Sequence, residues 1–156
     1  MHRRKFLPVT VSLANATSPA LLAGVPSKKA VYRGGTLLHL DPPAQGEVSI
    51  TDADEFVFRY RSGELRIPYE AVNSLEYGQK AGRRLGLSIA LSPLFLLSKK
   101  RRHYLTLGFK DSEESQQAAI FELGKEIVRT TLAGLAAQTG LKVEFEDEEA
   151  RRSSRW

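Results

Sequence analysis

The 156-residue chain contains no cysteine. Disulfides and thiolate metal sites are therefore excluded, and with them the usual clue to redox compartment. Its three histidines, His2, His39 and His103, are too scattered for a local metal motif. Neither a Gly-x-Ser-x-Gly elbow nor a Gly-Lys-Ser/Thr phosphate loop occurs. The acidic pairs Glu113-Glu114 and 146–149 fall in an expected loop and tail, where solvation is their ordinary role. No convergent set of polar residues marks a catalytic centre. The expectation is a non-enzyme without cofactor or metal. No run reaches the roughly 20 apolar residues that a membrane-spanning helix needs.

One absence is local. No acid lies between Lys80 and Arg102, a stretch holding Lys80, Arg83, Arg84, Lys99, Lys100, Arg101 and Arg102. The whole chain carries +5, so these seven cations leave −2 for the remainder. Between the basic flanks runs 85–97, LGLSIALSPLFLL. As a helix it would cover only about 20 Å, short of a bilayer core of about 30 Å. Pro93 would interrupt such a helix, so two short arms are expected.

This segment has three readings. It contacts an anionic membrane, with Leu94, Phe95, Leu96 and Leu97 in the acyl boundary and the basic flanks on lipid phosphates. It packs into the core or caps the fold, with a solvated basic rim. Or it binds a protein partner or a second copy, because a large exposed apolar patch marks an interface. Nucleic acid fits less well: such a site wants dispersed cations with stacking aromatics, and Phe95 belongs to the apolar run. The first reading is preferred, with the partner or self-association module as its alternative.

The rest of the chain reads as one domain. Residues 1–30 lack periodicity and hold Pro8, Pro19 and Pro26. Their order, a basic start, a short apolar run and Ala14-Asn15-Ala16, is that of a secretory signal, so export and cytoplasm stay equally open. A first strand is expected at 32–40, entered through Gly34-Gly35, a pair that permits a bulge or close approach. A turn at 41–46 precedes a strand at 47–51, and a second turn spans 52–54. Alternation then predicts strands at 55–61, with Phe56, Phe58 and Tyr60 on one face, and 64–69, with Leu65, Ile67 and Tyr69 on one face. Pro68 marks an edge or an end. Further strands are expected at 71–78, 103–109 and 117–123, with a hairpin loop at 110–115.

The period then changes. Ile127, Val128, Leu132, Leu135 and Ala136 predict an amphipathic helix over about 125–138, closed by Gly140. Glu122, Lys125, Glu126 and Arg129 surround its start, and Glu126 with Arg129 or Thr130 reads as a surface pairing. A last alternating stretch covers 141–145, and a charged tail from 146 onward is expected to fray. The expected fold is a mainly β small antiparallel barrel or sandwich, plugged by one C-terminal helix over residues 31–146.

Strand-rich hairpins followed by a C-terminal helix resemble the pleckstrin-homology-like superfold, including its bacterial and GRAM forms. The run 64–77, ELRIPYEAVNSLEY, resembles the bacterial pattern of a basic strand, Ile-Pro-Tyr and Val-x-x-Leu. Residues 77–84, 94–103 and 121–131 also look like a group of uncharacterised bacterial proteins. The resemblance covers about 32–146 and implies a binding or scaffolding module. Familiar members bind phosphoinositides through an early basic loop. Here the early loops, 41–46 and 52–54, hold no basic residue, and the basic loop comes later.

Overall fold

The computed structural model describes residues 29–79, the backbone of 90–91, and 102–155. Within them the first four strands form a meander: β1 (Lys29–Gly35), β2 (Ala44–Ser49), β3 (Glu55–Tyr60) and β4 (Gly63–Pro68). A single 3-10 turn, Tyr69–Ala71, leads into β5 (Val72–Gly78). There follow β6 (Ala90–Leu91), β7 (His103–Lys110) and β8 (Gln116–Leu123). A 3-10 turn, Lys125–Ile127, then opens helix α1 (Val128–Thr139), and β9 (Val143–Phe145) and helix α2 (Glu148–Ser153) complete the order.

The sheet order is β4-β3-β2-β1-β8-β7-β5-β9, with β6 on β1. All pairings are antiparallel except β5 with β9. The sheet is strongly curled. Three strand spacings separate β3 from β8, about 14 Å in a flat sheet. Yet the Phe121 ring lies 5.3 Å from Phe56 and 5.1 Å from Phe58, centre to centre. Both halves thus share one core, which Leu75, Tyr77, Leu105, Leu107, Ile67 and Val48 also enter. α1 contributes Val128, Leu132 and Leu135 to it. Among the described residues, the terminal strands β4 and β9 do not pair, so the curled sheet is not closed.

Side-chain alternation accounts for most of these elements. Phe56 and Phe58 face the core, as do Leu65, Ile67 and Tyr69. β4 ends at Pro68 and is an edge strand, consistent with the donor that proline lacks. In β5 the inward residues Val72 and Leu75 are three apart because the register shifts between Val72 and Ser74. Gly140 takes φ 71 and caps α1 with its N–H on the Ala136 carbonyl.

Three expectations change. β1 starts at Lys29, and Gly34-Gly35 ends it rather than opening it. The bulge lies between Tyr32 and Gly34, and Gly35, at φ 155, packs so tightly that an added Cβ would sit 2.1 Å from the Ala118 carbonyl oxygen. β2 begins at Ala44, inside the expected turn, because Gly46 pairs opposite Tyr60 despite its turn-like composition. The tail from 146 does not fray. Asp147 caps α2, its Oδ1 accepting from the Ala150 N–H at 2.6 Å, and the Ala150 side chain is wholly buried.

Candidate functional site

β7 and β8 are buried on both faces. Their inward side chains, Leu105, Leu107, Ala119 and Phe121, belong to the core cluster. Their outward ones alternate with these and lie opposite one another: Tyr104 with Glu122, Thr106 with Ile120, Gly108 with Ala118. β5 continues the same rows, Gly78 beside Tyr104, Glu76 beside Thr106 and Ser74 beside Gly108. This outer face is not solvated: Thr106 is 2% exposed, Glu76 5%, and Ala118 and Ile120 0%. An antiparallel sheet commonly gives one face to water, so double burial on this side is a departure.

The basic segment begins and ends at the rim of this face, because Gly78 and Tyr104 are direct partners. Both of its roots are fixed by hydrogen bonds. On the outgoing side, the Gln79 N–H donates to Glu146 Oε2 at 3.1 Å. On the returning side, Arg102 Nη1 donates to Glu122 Oε1 at 2.6 Å and to Oε2 at 2.9 Å. Arg33 reaches the same carboxylate, with Nε 2.7 Å from Oε2. Glu122 is therefore a partly buried bridge between β1 and the returning root. Its partners come from 89 and 20 residues away, a relation that sequence spacing does not carry. Tyr104 lies beside this cluster, and burial, reinforced by the Glu122 charge, pushes its hydroxyl up.

His103 follows the returning root. Its Nδ1 shares a 2.5 Å hydrogen bond with the Tyr77 hydroxyl, and Tyr77 in turn lies 3.3 Å from Ser153 Oγ on α2. Burial, with a smaller contribution from Lys125, depresses the His103 pKa, and Glu122 opposes it. α2 is held over this point by the Tyr77–Ser153 contact and by Arg151, whose guanidinium lies 5.7 Å from the centre of the Phe145 ring, which in turn meets Tyr77 edge-on.

Lys80, Arg83, Arg84, Leu94, Phe95, Leu96, Leu97, Lys99, Lys100 and Arg101 lie outside the described residues. Arg102 lies within them, and its guanidinium is engaged by Glu122 rather than free at the surface. Ala90 and Leu91, at the centre of the apolar run, pair as β6 with Gly35 and Gly34 of β1.

Elsewhere the surface offers less. An open cleft of about 700 Å³ is lined by Asp52, Asp54, Glu55, Tyr69 and Glu70. Its acids are partly engaged: Asp52 Oδ1 accepts from the Asp54 and Glu55 N–H groups, and Glu55 pairs with Arg66 at 2.8 Å. Among the described residues, no group of three or more His, Asp and Glu could hold a metal ion. No helix there is long and apolar enough to cross a membrane. Neither the known family models nor the curated proteins give a match to this chain.

Proposed function

We propose that this chain is a non-enzymatic, pleckstrin-homology-like binding module that sits peripherally on anionic phospholipid. The curled sheet and α1 serve as a small plugged barrel, and the loop 80–102 is the contact surface. The observation that carries this reading is the concentration of charge and apolarity between two fixed roots. Residues 80–101 hold six cations, no acid and the apolar run 85–97, and the rest of the chain sums to −1. Each cation near an anionic surface contributes about 1 kcal/mol, so six together suffice for salt-sensitive association even if half are screened. Lys80, Arg83, Arg84, Lys99, Lys100 and Arg101 meet phosphates, and Leu94 to Leu97 enter the acyl boundary. Arg102, held by Glu122, anchors the returning root.

Co-sedimentation with anionic and neutral vesicles at low and high salt tests this. The proposal expects binding that requires anionic lipid and weakens as salt screens it. A folded protein that stays in solution under every condition contradicts it. Concentration-dependent oligomers without lipid would instead favour the self-association module.

A further inference from the structure

We infer that the Tyr77 hydroxyl is a two-way proton switch, pointed at His103 while that imidazole is neutral and at Ser153 of α2 once it is charged. Protonation beside the returning root is thereby read out as one added hydrogen bond to α2. This goes beyond membrane contact and does not depend on it.

Three contacts in series carry the inference. His103 Nδ1 lies 2.5 Å from the Tyr77 hydroxyl, and that hydroxyl lies 3.3 Å from Ser153 Oγ. Ser153 Oγ in turn donates to the Ala150 carbonyl at 2.9 Å. The serine proton is thus committed to Ala150, and Oγ can only accept from Tyr77. A phenol has a single proton to give. With a neutral imidazole it goes to the nearer acceptor, Nδ1, which assigns the ring proton to Nε2. The contact between Tyr77 and Ser153 then holds no proton. A charged imidazole donates from both nitrogens. The proton taken from solvent occupies Nδ1, and the Tyr77 oxygen accepts from it while keeping its own hydroxyl proton. Among the described residues, Ser153 Oγ is the acceptor left for that proton. The series then runs one way, from Nδ1–H to the Ala150 carbonyl.

The parts are held in place for both states. Tyr77 is 0% exposed, and its ring stacks on His103 at 12° and meets Phe145 edge-on. The Asp147 cap and the buried Ala150 fix α2, so Oγ stays within reach. Among the described residues, Lys125 opposes charging of the imidazole and Glu122 of β8 favours it. The other charged or titratable groups nearby are engaged or turned away. Arg102 is held by Glu122, and the Glu146 carboxylate accepts from the Gln79 N–H. Arg151 of α2 lies against the Phe145 ring and pairs with Glu148. Tyr104 projects from the opposite face of β7. Burial is the larger influence, and it holds the His103 pKa below its ordinary 6.5.

The test is nitrogen NMR of the His103 ring in the full chain, titrated from about pH 8 to about pH 4, a window that spans the ordinary histidine range. His103→Gln identifies its signals. The expected neutral form carries its proton on Nε2 and leaves Nδ1 bare. Ser153→Ala removes the acceptor that only the charged state uses, so it should lower the His103 pKa by roughly 0.5 to 1, the size of one hydrogen bond. Ser153→Thr keeps the hydroxyl and should restore the parent value. A neutral imidazole protonated on Nδ1 would overturn the inference, and that reading needs only the parent protein. A pKa unchanged or raised in folded Ser153→Ala would overturn it too, as would a His103 that never charges while the chain is folded.

Discussion

Gly35 shows how single positions set the geometry of the site. Its added Cβ would meet the Ala118 carbonyl at 2.1 Å, and its φ of 155 is one that side chains resist. Backbone cannot yield as a side-chain tip can. Gly35→Ala is expected to lower stability by about 2–3 kcal/mol, a value typical of severe strain. Thermal unfolding checks it, at roughly 2–4 °C per kcal/mol for a chain of this length. His103 gives a pH prediction at the same scale. Burial lowers its folded pKa below the unfolded value of about 6.5, so the unfolded chain binds the proton first. Stability then increases with pH across that window. It is fully present above the unfolded value, begins to fall as pH drops through it, and levels off below the folded value. His103→Gln should flatten the melting temperature between about pH 7 and pH 5 relative to the parent. An identical slope in both proteins would show that another group governs this window.

Elements built on local alternation were the legible part of the fold. Phe56, Phe58, Leu65 and Ile67 state their face by spacing, and α1 announces itself by the change of period and by Gly140. What local pattern could not show was partnership at long range. Glu122 is one of several charges around the helix start until β1 and the returning root bring Arg33 and Arg102 to it. The outer burial of Thr106 and Ile120 is equally hidden, because β-formers in sequence do not reveal which faces are covered. α2 was missed for a different reason. Its residues are charged, and only the Asp147 cap and the buried Ala150 distinguish a docked helix from a frayed tail. The cap carries a prediction: Asp147→Ala should weaken α2 by about 1 kcal/mol. Hydrogen exchange at Ala150 to Ser153 should accelerate, while amides in β7 keep their protection. Unchanged exchange in α2 would mean that packing of Ala150, and not the cap, holds the helix.

At the scale of the whole molecule, the scaffold and the basic segment divide the work. The curled sheet and α1 make one core, and the outer face of β5, β7 and β8 presents the two roots of 80–101 at one rim. The hydrogen bonds of Glu146 to Gln79 and of Glu122 to Arg102 fix those roots. The segment they frame holds the charge excess and the apolar run 85–97. Membrane contact is the central claim, and one comparison tests it most directly. The parent chain and a variant with Leu94→Ser, Phe95→Ser and Leu96→Ser are sedimented with anionic vesicles at low salt, after their melting curves are shown to match. The account predicts that the parent pellets with the vesicles and the variant stays in the supernatant. Equal partitioning of the two proteins, or a folded parent that never leaves the supernatant, would contradict it.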